Sequence, residues 1–131
     1  MKRDMDLVRL ILLKIEEQHC STALIDLAIE GYDLATVAYH CKMMNEVGLI
    51  SSYKEMRYMS GQMDFAVGPL TWEGCDYLDR IRDDSIWGKT KDAITKKGLP
   101  LVFETIKTIA NAFITATAEG VANSVIKNGG V

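Results

Sequence analysis

Apolar residues recur near the start of the chain at helical spacing. Val8, Ile11, Leu12 and Ile15 fall at i, i+3, i+4 and i+7, which predicts a helix capped by Asp4 or Asp6 and ending near Glu17 and Gln18. Leu7, Leu10 and Leu13 lie off that stripe, so this helix is apolar on nearly every side and needs more than one neighbour to cover it. Residues 22–29 are short, close with Gly31 and alternate Leu24, Asp26 and Ala28 with Ile25, Leu27 and Ile29, as a short strand does. Asp33 then caps a second expected helix running to about Val47, with Val37, Cys41 and Met44 on its core face. Gly48 suits the left-handed position just past its end, and Leu49 is the apolar residue that follows.

Leu49–Met56 and Met63–Leu70 read as two strands of a β-hairpin, with Ser60-Gly61 as the turn signal between them. Thr71 caps a third helix with Trp72, Cys75, Leu78 and Ile81 facing inward. Ser85 caps a fourth, which stops at Gly98. Pro100 opens a fifth and long helix, carrying Val102, Phe103, Ile106, Ile109, Ala110 and Phe113 before it thins into Ala, Thr, Gly and Ser. The terminal Asn128-Gly129-Gly130 should fray. Trp72 and Trp87 are expected to pack, the default role of Trp in a small core.

Composition narrows the class. Apolar residues make up 48% of the 131 positions, charged residues 25%, and there are two prolines, which excludes disorder, collagen and a disulfide scaffold. Three cysteines without a CxxC pair suit a reducing compartment. MKRDMDL mixes acids with its bases and does not read as a signal peptide, and the longest uncharged run, Thr108–Ala118, is too short to span a bilayer. We therefore expect a cytoplasmic protein with no membrane span.

Little in the chain points to catalysis. His19-Cys20 and His40-Cys41 suggest zinc, but neighbours on a helix diverge by about 100°, so one pair does not readily ligate one ion. Cys41 is expected in the core with His40 at its margin. Asp76, Asp79, Asp83 and Asp84 read as a solvated face neutralised by Arg80 and Arg82. Nothing visible activates Cys20 or Cys75 as a nucleophile, and no P-loop, GxGxxG, HExxH or GxSxG occurs. Lys89, Lys91, Lys96 and Lys97 form a basic cluster that reads as a solvated face near a helix C-terminus. The expectation is no enzyme, no metal and no cofactor.

The order helix, strand, helix, strand, turn, strand is that of a winged-helix domain. VAYHCKMMNEVGLISSY resembles the recognition helix and first wing strand of bacterial winged-helix regulators, and LTWEG resembles the Leu-Thr-x-x-Gly that opens their next helix. A glycine stop followed by Leu49-Ile50 pins the strand into the core and turns the opposite helix face toward a major groove. More closely, MKRDMDLVRLILLKIEE, GYDLATVAYHCKMMNEVGLI and LTWEGCDYLDRIRDDSIWGKTK are similar, in that order, to domain-of-unknown-function family 2513, over most of residues 1–105. That resemblance implies a winged-helix-like fold and a frequent phage or prophage setting, and it implies no catalytic residues. We expect a mainly α (α+β) fold: a winged helix-turn-helix-like domain over residues 1–84 with a small β-hairpin wing, and a C-terminal helical extension over 85–131.

The face opposite Val37 and Cys41 holds Ala35, Tyr39, Lys42, Met43 and Glu46, and the hairpin adds Lys54, Arg57 and Tyr58. Tyr39, Lys42, Met43, Lys54, Arg57 and Tyr58 are the candidate nucleic-acid-binding residues. Three bases against four acids between residues 32 and 70 leave a net charge of −1, poor in the cations that phosphate contacts need. Two functions therefore compete: an oligomeric regulator on double-stranded DNA, and a protein–protein interaction module acting on a host or phage protein. The fifth helix is too apolar to stand alone in water and lacks the Lys/Arg-rich face of a membrane-surface helix. We expect a homo-oligomer formed through Phe103, Ile106, Ile109, Ala110 and Phe113, with Leu10 and Leu13 of the first helix as further contacts.

Overall fold

In the computed structural model, which describes residues 1–19 and 21–129, five helices and a small antiparallel sheet follow the order α1 (Met5–Gln18), β1 (Leu24–Ile25), α2 (Leu34–Glu46), β2 (Tyr53–Arg57), β3 (Met63–Val67), α3 (Trp72–Ile81), α4 (Asp84–Lys96), α5 (Phe103–Gly129). The chain divides into two compact units, Met1–Leu78 and Asp79–Val131.

In the first unit α1 packs on α2. Leu7, Val8, Ile11, Leu12 and Ile15 from α1 are buried with Val37, Ala38, Cys41 and Met44 from α2, and Phe65 and Val67 of the sheet are buried as well. The expected stripes are thus the ones buried, although Leu10 is exposed. Asp4 caps α1, its Oδ1 accepting from the Asp6 and Leu7 amides. Asp33 caps α2 by accepting from the Thr36 amide at 2.9 Å.

The end of α2 sets the path into the hairpin. Gly48 sits at φ 83°; its N–H donates to the Asn45 carbonyl, and the Leu49 N–H donates to the Met44 carbonyl at 2.8 Å. This double closure needs a left-handed residue at position 48, which glycine adopts without a Cβ penalty. Asn45 Nδ2 donates to the Ile50 carbonyl at 2.8 Å and fastens the exit. Leu49 and Ile50 are buried as expected.

The sheet has the order β1-β3-β2 with both pairings antiparallel, and Tyr53 lies opposite Val67 and Arg57 opposite Met63. Two strands are shorter than their sequence pattern. The expected 22–29 strand keeps only Leu24–Ile25, because Asp26 turns to φ 49° while its N–H donates to the Phe65 carbonyl and its Oδ1 accepts from the Phe65 amide. The expected Leu49–Met56 strand begins only at Tyr53. Ser51 donates to the Pro69 carbonyl, but Pro69 has no N–H to return to the ladder, so Ile50 pairs with Leu70 as an isolated bridge beyond the break.

Thr71 caps α3, its hydroxyl accepting from the Gly74 amide and donating to the Gly48 carbonyl. The inward face differs from expectation. Gly74, Tyr77, Leu78 and Ile81 are buried, whereas Trp72 is 85% exposed and Cys75 is exposed. Gly74 lies against the backbone of Leu49, closer than any side chain permits, and this approach turns the Trp72–Cys75 side outward.

In the second unit α4 and α5 pack on each other. Asp83, not Ser85, caps α4 by accepting from the Ile86 amide. α4 closes on Gly98, at φ 66°, with the same two bonds seen at Gly48: Gly98 N–H to Thr95 O and Leu99 N–H to Ile94 O. α5 starts at Phe103 rather than Pro100, since Thr105 Oγ1 donates to the Pro100 carbonyl and holds a turn ahead of the first helical bond, Ile106 N–H to Val102 O. It continues to Gly129, past the expected fraying point at Asn128; Gly130, the last residue of that expectation, lies outside the described residues, as does Cys20. Trp87, Ile94, Ile106 and Ala110 are buried. Among the described residues no helix is long and apolar enough to cross a membrane.

Candidate functional site

The outer face of α2 is open, as its period requires. Tyr39 and Lys42 are exposed and Met43 is half-buried. Beside it the hairpin exposes Lys54, Met56, Arg57, Tyr58 and Met59, the last completely. The two-residue alternation of β2 and the register with β3 decide which side each side chain takes. Tyr53, Glu55 and Arg57 share one face with Phe65, on which Tyr53 stacks at 6.0 Å between ring centroids. Lys54 and Met56 take the other face with Asp64 and Ala66, and Ile25 joins them opposite Ala66.

Several polar groups of the hairpin pair with one another. Glu55 accepts from the Tyr53 hydroxyl at 2.8 Å and from Arg57 at 3.3 Å. The Tyr53 hydroxyl foremost, with Arg57 and Lys42 adding their charge, holds the Glu55 carboxyl below the ordinary carboxylate range. Arg57 thus holds the Glu55 carboxylate directly, while Lys42 of α2 adds only its field. Tyr58 donates to Asp64 at 2.9 Å, and that carboxylate raises the phenol above its usual value. Exposed beside them are the apolar Tyr39, Val47, Met56 and Met59, together with Lys42 and Lys54.

Two groups contradict their sequence expectation. His40 is wholly buried, not marginal. Its Nε2 accepts the Asp4 N–H at 2.8 Å, which leaves the proton on Nδ1 to be donated to the Thr36 carbonyl at 2.8 Å. Asp4 Oδ2 in turn accepts from the Tyr32 hydroxyl at 3.1 Å. One neutral imidazole therefore fixes the start of α1 against α2. No periodicity signal could have found this, because the partner is a backbone amide 36 residues away. The second group is two of the expected oligomer contacts, Ile106 and Ala110. Ile106 and Ala110 are fully buried within the chain itself, whereas Phe103, Ile109 and Phe113 are half-buried. Leu10 is exposed, and Leu10 and Leu13 line a shallow groove with Lys14, Glu17 and Ile29.

Cys41 is buried as expected, and burial pushes its thiol up to about 12. Cys75 is exposed. We expect a thiol reagent at mildly alkaline pH to label Cys75 at least about 100-fold faster than Cys41 in the folded protein, with the two rates merging in denaturant. Peptide mapping by mass spectrometry reads this out; equal native rates would contradict the burial of Cys41.

The acidic and basic clusters are locally engaged. Arg82 pairs with Asp79 at 2.7 Å and Lys96 with Asp92 at 2.9 Å, while Lys91 lies 5.4 Å from the centre of the Trp87 ring. Among the described residues no group of three or more His, Cys, Asp or Glu is placed to hold a metal ion.

Residues 2–100 match the family described as "Hypothetical protein (DUF2513)". A protein of Haemophilus influenzae described as "Uncharacterized protein" is 38% identical over 117 residues, covering 88% of this chain and 97% of its own. No solved structure matches the chain.

Proposed function

We propose, for a chain that belongs to the family described as "Hypothetical protein (DUF2513)", a non-catalytic protein-binding role on a winged-helix-type frame. The order α1-β1-α2-β2-β3 with sheet order β1-β3-β2 supports that frame, with α2 in the recognition position and β2–β3 as the wing. The outer face of α2 and the hairpin form the contact surface, and the partner is a second protein that accepts Tyr39, Met56 and Met59.

One observation carries the choice of protein over DNA. Glu55 shares the Tyr53 and Phe65 face of the hairpin and already holds Arg57, the hairpin's one arginine. Duplex binding rests on one cation for each phosphate neutralised, and of the three candidate cations here Arg57 is already held by a carboxylate. Exposed aromatic and methionine side chains with few uncompensated charges are instead the composition of a protein interface core.

Fluorescence polarisation with labelled duplex DNA tests this. We expect no saturable binding by the wild type at about 50 mM salt. Glu55→Gln with Asp64→Asn frees Arg57, Tyr58 and Lys42, and should confer weak binding that vanishes at about 150 mM salt. Saturable wild-type binding that is lost in Lys42→Ala/Arg57→Ala would overturn the reading in favour of a DNA-bound regulator. In cells, a photo-crosslinking residue at Tyr39 or Met59 should join one discrete protein, and one at Glu17 should not.

A further inference from the structure

Two of the most exposed apolar side chains of the first unit stand at one junction. Val47 caps the end of α2 and is 71% exposed, and Trp72 opens α3 and is 85% exposed. Their neighbours are bonded to each other: the Thr71 hydroxyl donates to the Gly48 carbonyl, and the Thr71 N–H donates to the Leu49 carbonyl. The same contact sets the exposure of Trp72. Gly74 lies against Leu49, and at 100° per residue Trp72 falls about 160° from Gly74, on the open side of α3. The indole therefore contributes nothing to the core, where burial of a Trp has its value.

Each of these side chains has a carboxylate beside it. Glu46 precedes Val47 and Glu73 follows Trp72, and both are exposed with no ion pair among the described residues. Glu46 stands in the last turn of α2, where the helix dipole disfavours an anion, and that turn holds no base to offset it. Asp76, one turn on from Trp72 and within about 40° of it, adds a third exposed carboxylate. Between Lys42 and Arg80 the chain has two bases, Lys54 and Arg57, both on the hairpin.

We infer that this junction docks an arginine-bearing segment of a partner protein, with the guanidinium on the Trp72 indole and the flanking carboxylates as its counter-charges. Charge selects that occupant. Three carboxylates repel the phosphates of a nucleic acid and of an anionic membrane surface alike. A purely apolar partner would bury Glu46 and Glu73 with no counter-ion. A cation relieves both, and also the misplaced charge at the end of α2. Arginine fits better than lysine, because a planar guanidinium stacks on an aromatic face while its edge pairs with a carboxylate. Val47 and Trp72 project from the surface rather than line a cleft, which suits a protein segment and not a small cation held in a concavity. The inference does not require the α2–hairpin surface to be a binding face.

Nitrogen-15 NMR of the full chain tests it, because the two indole N–H signals report separately, Trp72 from the junction and Trp87 from a buried site. The probes are three soluble peptides identical except for Arg, Lys or Glu on either side of a Leu. We expect the Arg peptide to shift the Trp72 signal saturably and leave Trp87 in place. By calorimetry the Lys peptide should bind at least about threefold more weakly, and the Glu peptide should not bind. Trp72→Leu should weaken the Arg peptide at least about tenfold with no fall in melting temperature, since the side chain is exposed. Glu46→Gln/Glu73→Gln should weaken it by a similar factor. Glu17→Gln/Glu30→Gln removes the same charge elsewhere and should weaken it less than about twofold. Equal losses in the two Gln pairs would reduce the effect to general attraction by a chain of net charge −3 and overturn the inference. Equal binding of the Arg and Lys peptides overturns it, as does a Trp72 signal that no peptide moves. So does a Trp72 signal that shifts with protein concentration alone, which assigns the junction to a second copy, or one that broadens with phosphatidylcholine–phosphatidylserine vesicles, which assigns it to a membrane.

Discussion

Gly74→Ala should destabilise the protein by about 3–5 kcal/mol, lowering the thermal midpoint by roughly 10 °C or more for a chain of this size. The sign is the opposite of the usual one. Alanine in a helix interior is normally favoured over glycine by up to about 1 kcal/mol. At position 74 an added Cβ would stand 3.1 Å from the Leu49 carbonyl carbon and closer still to its oxygen. Neither group can move cheaply. The Leu49 carbonyl accepts the Thr71 amide, and Leu49 itself closes the end of α2. The start of α3 would have to lift away from the α2 exit, opening the buried positions Tyr77 and Leu78. Gly88 provides the contrast. It is also helical, and a Cβ there meets nothing within 4 Å. Gly88→Ala should leave stability unchanged or raise it by up to about 1 kcal/mol. Denaturant midpoints of the two variants decide the matter: equal effects at both positions would refute the close approach at Leu49.

His40→Ala is expected to cost about 3 kcal/mol. Part is the cavity left by a wholly buried ring, and part is the Asp4 N–H, which loses its acceptor beside the first turn of α1. The loss should be local in its structural consequence. Hydrogen exchange at the α1 N-terminus should accelerate more than exchange in β3, because Asp4 caps the helix and is held by both His40 and Tyr32. His40→Gln is the diagnostic variant. Its side-chain carbonyl can take the place of Nε2 as acceptor for Asp4, so it should recover about half of the stability that alanine loses. Equal losses in the two variants would show that the ring acts by volume alone.

The two variants also mark where sequence reasoning stopped. The caps at Asp4 and Asp33, the buried stripes of α1 and α2, the glycine closures at Gly48 and Gly98, and the hairpin turn at Ser60-Gly61 are all local. Each depends on residues within about one turn of each other, so the order of residues carries the information. The exposed face of α2, with Tyr39 and Lys42 outward, follows from the same periodicity.

What the order of residues could not fix was every feature that depends on an approach between distant segments. Trp72 and Cys75 have the right spacing for a core face, yet the contact between Gly74 and Leu49 turned them out. His40 looked marginal until the backbone of Asp4 came within hydrogen-bond distance. Glu55 comes to feel the charge of Lys42 only when the hairpin lies beside α2. Ile106 and Ala110 looked free to bind another chain until α4 covered them, which moved the open stripe of α5 to Ile114, Val121 and Val125. The reason is common to all four. Helical and strand periods are properties of consecutive residues, whereas burial and charge pairing are set by which surfaces meet, and that is decided only when the whole chain packs.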